Sequence, residues 1–192
     1  MDEKTAAHLS YIARLPIQER EAAAAPLGYR IESQDEDRAL FKNESGHAVM
    51  AFRGTDLEHR NRRWRDVMAD AAVLVGKAQK SPRYMASERA YADAVRQHGR
   101  VDVVGHSLGG HQALHLAREY GARATVFNPA TSIPDVARGV RDWIVGRRAP
   151  DATSYITHRD PISIATMARL AGKVVVRPVK PGESAHALKN FL

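Results

Sequence analysis

With 192 residues, no cysteine and a formal net charge of +7, the chain excludes disulfides, thiolate metal sites and a cysteine nucleophile. Its 44% hydrophobic and 27% charged residues are those of a soluble globular protein with room for a substantial core. The basic excess points toward anionic surfaces, either phospholipid or nucleic acid.

Residues 5–14 predict a helix, with Leu9, Ile12 and Ala13 at helical spacing. A second short helix begins near Pro16 and ends before Pro26-Leu27-Gly28. Residues 29–33, 39–42 and 48–52 read as strands, and Asn43-Glu44-Ser45-Gly46 supplies turn chemistry for a hairpin between the last two. Ser81-Pro82 opens a helix, with serine as cap and proline at the first helical position. That helix runs to about His98, with Tyr84, Tyr91 and Val95 on one face. Strand 101–104, a helix over 108–120, strands 124–127, 154–157 and 174–176, and a short helix from Ala185 complete the order. This alternation predicts a single α/β domain over residues 1–192, with a mostly parallel central sheet flanked by helices. No apolar run approaches the ~20 residues of a membrane span, and the acidic start Met1-Asp2-Glu3-Lys4 is no secretory signal. The corresponding expectation is a cytoplasmic protein, or one released without a classical signal.

The densest chemical signal is Val103-Val104-Gly105-His106-Ser107-Leu108-Gly109-Gly110. A β-branched strand stops at glycine, a serine follows two residues later, and further glycines open a helix. This is a nucleophile-elbow pattern, G-x-S-x-G, in its strand–turn–helix setting. A serine hydroxyl needs a base to take its proton and an acid to orient that base. In the order that such sheets use, acid and histidine follow the serine. His111 and His115 lie on the helix right after Ser107 and cannot fold back, and His158 precedes the best acid. That leaves His186, in a polar loop after the last strand, where a mobile imidazole reaches toward the serine. Asp160, directly after strand 154–157, is the acid, and Asp135 and Asp151 stand in weaker positions. For the oxyanion, one donor is the amide of Leu108, and Thr55 in Arg53-Gly54-Thr55-Asp56 is the candidate for the second.

At this point the chain resembles the fungal-type (class 3) lipase family of α/β-hydrolases. Four segments carry the resemblance: Ala51-Phe52-Arg53-Gly54-Thr55, the serine segment, Phe127-Asn128-Pro129, and Asp160-Pro161 with His186-Ala187-Leu188. The resemblance implies a compact α/β-hydrolase fold, a catalytic triad of Ser107, Asp160 and His186, and oxyanion donors at Thr55 and Leu108. It places Asp70 at the position of a buried structural aspartate. Between that residue and the elbow only about residues 71–81 are available for a lid, too short and too poor in aromatics for a large lipid-binding cover.

Two other features compete for a function. His111, His115 and Glu119 recur at four-residue steps, a spacing that also serves zinc. The better account is a polar stripe facing solvent, with Ala113, Leu116, Ala117 and Tyr120 packed inward. The basic run from His59 to Arg65 reads as a solvated helix end, or as a contact surface for anionic lipid. No nucleic-acid module is recognisable, so nucleic acid is not an expected partner. The sequence therefore predicts a serine carboxylic-ester hydrolase of lipase or phospholipase type, acting on acyl esters with no metal or organic cofactor and no obligatory protein partner. Peripheral contact with an anionic membrane accompanies that reading. The alternatives are a small soluble-ester esterase, or a non-catalytic protein of the same fold that binds anionic membranes or a partner.

Overall fold

The computed structural model describes residues 1–54, 82–130, 137, 141, 142, 144–146, 149–160 and 172–192. Helix α1 (Glu3–Ile12) starts where the Asp2 carboxylate accepts the Thr5 amide at 2.9 Å, a capping bond reinforced by Glu3 in the first turn. Helix α2 (Ile17–Ala24) follows Pro16. Arg20 on α2 is buried, and its guanidinium donates to the carbonyls of Leu15, Asp35 and Arg38 at 2.7–3.2 Å. It thereby ties the helix to the strands that come next.

Those strands are β1 (Tyr29–Gln34), β2 (Arg38–Asn43) and β3 (Ala48–Phe52), an antiparallel meander. After helix α3 (Pro82–His98), strand β4 (Val101–His106) lies parallel to β3. Helix α4 (Leu108–Tyr120) leads to β5 (Ala124–Phe127), and β6 (Ala152–Thr157) and β7 (Lys173–Arg177) complete a seven-stranded sheet in strictly sequential order. Every pairing from β3 to β7 is parallel. The fold class read from the sequence is thus the observed one: a mostly parallel sheet flanked by helices.

Strand order explains how the two faces are covered. Crossovers that step to the next strand with the same right-handed sense place their helices on the same face. On that face α3 and α4 bury Tyr91, Ala94, Ala113 and Leu116 against Leu40, Met50, Phe52, Val103 and Val126. The opposite face is packed by the N-terminal segment together with Leu188 and Phe191. There α1 and α2 bury Leu9, Ile12 and Ala24 against the alternate strand residues Phe41, Val49, Ala51, Val104 and Phe127. Two buried faces account for the continuous burial of β3 and β4, where alternation is absent.

Three differences from the sequence reading are local. Strand β4 runs two residues beyond Val104, because Gly105 pairs with Phe52 and His106 with Phe127. The C-terminal helix expected from Ala185 is a single 3-10 turn, Leu188–Asn190. Tyr120, expected to pack inward, is half exposed. Among the described residues, no helix is long and apolar enough to cross a membrane.

Candidate active site

Because β3 to β7 are parallel, the segments that follow β3, β4 and β6 leave the sheet at one edge. Strand β4 delivers the serine there. Ser107 has φ 56° and ψ −122°, and the described residues include just one other non-glycine at positive φ, Asn128. Such a backbone persists only where its surroundings enforce it. Here the enforcement comes from close packing of strand, turn and helix. A Cβ on Gly105 would fall on the backbone of Gly109, and one on Gly109 would fall on the carbonyl oxygen of Phe52. Glycine at both positions is therefore a steric requirement of the turn.

The Ser107 amide donates to the Phe127 carbonyl at 3.1 Å, and the Ser107 carbonyl accepts from His111 and Ala130 at 3.0 Å each. The Ser107 side chain makes no capping bond to α4. Its hydroxyl stands at the positive end of that helix without being consumed by it. Leu108 is the first residue of α4 and partly exposed. As a first-turn amide it has no partner within the helix.

Strand β6 delivers the acid and the segment after β7 delivers the histidine. The Nδ1 atom of His186 lies 3.0 Å from Oδ2 of Asp160. Ser107, Asp160 and His186 are each 5% exposed or less. A carboxylate only accepts, so Nδ1 carries the proton in this contact and Nε2 is the basic nitrogen of the neutral ring. The His186 ring packs against that of His106, the residue before the serine, with centroids 4.8 Å apart.

The histidine loop is not the mobile segment that its polarity predicts. The Ala185 carbonyl accepts from Asn128 Nδ2 at 2.9 Å and from the Thr157 hydroxyl. Asn190 Nδ2 binds the carbonyls of Ser184 and Ala187 at 2.8 and 2.9 Å. The His186 carbonyl meets Nε2 of His106 at 2.7 Å. Sequence reasoning missed Asn128 and Asn190 as site-building residues. A signal for Asn128 existed, since asparagine after a strand end tolerates positive φ, and its φ is 38°.

His106 is the strongly perturbed group of the site. Burial drives its pKa well below the ordinary histidine range, and the neighbouring His186 and then Arg14 push the same way. The ring is therefore neutral.

The segment leading toward Thr55, the candidate second oxyanion donor, is described up to Gly54. A Cβ on Gly54 would lie 2.5 Å from the His106 carbonyl oxygen, so this backbone rests directly on the elbow. Arg83 at the start of α3 donates through Nη2 to the Arg53 carbonyl at 2.6 Å. Thr55, the basic run from His59 to Arg65, Asp70, the short lid segment at 71–81 and Asp135 lie outside the described residues. Asp151 is engaged elsewhere, 3.3 Å from Arg123 at the beginning of β6.

The histidine stripe on α4 needs correction. His111 is buried and bonded through Nδ1 to the Tyr84 hydroxyl, and His115 Nε2 binds Glu88 at 2.7 Å. Helix α3 covers this side of α4, which a reading of α4 alone assigns to solvent. Among the described residues, no group of three or more potential ligands could hold a metal ion.

Among solved structures, the fold is similar to those of fungal lipases. A fungal lipase–inhibitor complex, solved as a model for interfacial activation, matches with a TM-score of 0.54 at 16% identity, over 86% of this chain and 74% of that one. The Rhizomucor miehei lipase–propeptide complex matches with a TM-score of 0.50 at 17% identity. That match covers 83% of this chain but 59% of the lipase, less than two thirds of its length. The chain therefore has a lipase-like α/β fold. In sequence, the model of an uncharacterised protein family (UPF0227) matches residues 58–142. No curated protein matches the chain.

Proposed function

We propose that the chain is a serine carboxylic-ester hydrolase of the lipase or phospholipase kind. The observation that carries this reading is the strained Ser107 backbone at the head of α4, on the sheet edge where Asp160 and His186 are in contact. In the reaction His186 Nε2 accepts the Ser107 proton as the hydroxyl oxygen attacks the ester carbonyl. Asp160 steadies the resulting imidazolium through Nδ1. The tetrahedral oxyanion rests on the amide of Leu108 and on Thr55, its second donor. His186 then protonates the leaving alcohol, and an acyl group remains on Ser107. A water molecule, deprotonated by His186, releases the acid and restores the serine. Each proton is returned by the same imidazole, so no metal or cofactor enters.

The substrate class in this reading is an acyl lipid ester, with the net positive charge of the chain favouring an anionic headgroup or membrane. A fluorophosphonate probe tests the chemistry: wild type should label and Ser107→Ala should not. Asp160→Asn should slow labelling about a thousandfold or more, because an amide presents the wrong tautomer to Nδ1. Wild type that resists the probe would identify a non-catalytic relic. Turnover of anionic phospholipid vesicles tests the substrate class. Rapid hydrolysis of acetate or butyrate esters with no vesicle turnover would replace lipase by small-ester esterase.

A further inference from the structure

We propose that His106 is a positioning residue, whose imidazole Nε2–H holds the backbone of His186 at the angle that presents its ring to Ser107. This rests on the ester-hydrolase reading and adds a residue to it.

The geometry fixes the direction of the bond. A carbonyl oxygen only accepts, so the 2.7 Å contact between His106 Nε2 and the His186 carbonyl requires the proton on Nε2. Nδ1 of His106 is buried and meets no donor or acceptor among the described residues. A proton there would find no acceptor among them. One tautomer of the neutral ring is therefore selected, and it is a donor toward the histidine loop.

The direction of a side chain is set by the two peptide planes on either side of its Cα. For His186, the preceding plane is held by the Ala185 carbonyl, which Asn128 and Thr157 bind from the ends of β5 and β6. The following plane is held within the loop, where the Ala187 amide donates to Ser184 at 3.0 Å. Its tie to the sheet is the bond from His106. That bond begins on the residue immediately before Ser107, so the nucleophile's strand and the base's backbone are referenced to each other directly. His106 cannot itself shuttle protons in this arrangement, since its one proton is committed to a carbonyl. Its neutrality also matters at a ring separation of 4.8 Å. A second cation there would oppose the imidazolium that His186 must become.

The test uses two substitutions of nearly equal shape. Gln at residue 106 keeps a donor near the Nε2 position, whereas Met fills a similar volume without one. His106→Met should lower kcat, and the rate of fluorophosphonate labelling, about a hundredfold with little change in KM, the scale expected for small misplacement of a catalytic group. His106→Gln should recover most of that loss. Ligand-free melting should be cooperative for both variants, with His106→Met melting somewhat lower because it leaves the buried His186 carbonyl without its donor. Met at full wild-type rate, or Met and Gln reduced alike for any reason including misfolding, overturns the positioning role. Wild type that does not label at all defeats the hydrolase reading beneath it, an outcome separate from a labelled wild type that the Met variant equals.

Discussion

Gly54 and His106 meet backbone to backbone: a methyl group at residue 54 would stand 2.5 Å from the His106 carbonyl oxygen and 3.5 Å from Ser107 Cβ. The loop after β3 and the elbow after β4 are thus fitted to each other with no spare volume. Gly54→Ala should cost about 1–3 kcal/mol, the usual range for overpacking against atoms that cannot move aside. It should also slow fluorophosphonate labelling of Ser107, because the carbonyl that must give way belongs to the preceding residue. Gly46→Ala is the control, since nothing lies within 4 Å of its Cβ. It bears only the penalty of its own positive φ and should leave the labelling rate unchanged. Chemical denaturation with parallel labelling measures both, and equal labelling rates would refute the coupling.

Asn128 joins three loops through one side chain. Its Oδ1 accepts the Thr157 amide at 2.9 Å, and its Nδ2 donates to the Ala185 carbonyl at 2.9 Å. Replacing it by alanine strands a buried amide, at about 1–3 kcal/mol, and loses the second bond besides. Asn128→Ala should therefore destabilise by roughly 2–4 kcal/mol and lower kcat more than it raises KM. Asn128→Gly relieves the positive φ but restores neither bond. A glycine variant as stable and active as wild type would show that backbone shape alone is the residue's role.

What the sequence made legible follows from where each constraint lies. The elbow was readable because its residue types sit within eight consecutive residues: a Cβ on Gly105 collides with the start of the following helix, whereas the need for glycine at 109 comes from the Phe52 carbonyl on the neighbouring strand. The parallel sheet was readable because buried strands and amphipathic helices alternate along the chain. The contact between Asp160 and His186 was anticipated from their order after Ser107, a topological fact. By contrast, the misread stripe His111–His115 depends on what covers it. Its polar residues face Tyr84 and Glu88 on another helix, and a period on one helix does not say which side another will occupy. The fixed histidine loop failed for the same reason: its polar sequence reads as solvated, but its carbonyls are bound by Asn128, Thr157 and His106 from three strand ends.

The depressed pKa of His106 has a definite signature in stability. Between the ordinary histidine value of about 6.5 and its lower value in the folded state, the unfolded chain holds a proton that the folded chain does not. The unfolded state then binds more protons, so stability rises with pH and is lost on acidification through this window. The full contribution of one such group is about 1.4 kcal/mol per pH unit. Melting curves between about pH 7.5 and pH 5.5 should fall with acid for wild type. His106→Gln should flatten that dependence, leaving the slope of the remaining groups. Identical slopes in the two proteins would mean that the residue 106 imidazole is not held neutral.

Arg83 holds the backbone just before the candidate oxyanion residue Thr55. The Arg53 amide donates to the Asp37 carbonyl at 2.8 Å, and the Arg53 carbonyl accepts from Arg83 Nη2 at 2.6 Å. Both sides of Arg53 are thereby fixed just before Gly54 and Thr55. Arg83 Nε also lies 3.1 Å from the Asp37 carboxylate, which is 42% exposed. That partly exposed ion pair contributes little, whereas the bond to the carbonyl sets a peptide plane. The two contacts can be separated. Asp37→Asn keeps the backbone carbonyl and should change stability by less than about 0.5 kcal/mol, with kcat unaltered. Arg83→Lys loses the planar fork and reaches one partner at most, so kcat should fall roughly tenfold at nearly constant KM. Should the aspartate variant lose activity as the lysine variant does, the surface pair rather than the carbonyl clamp holds this loop.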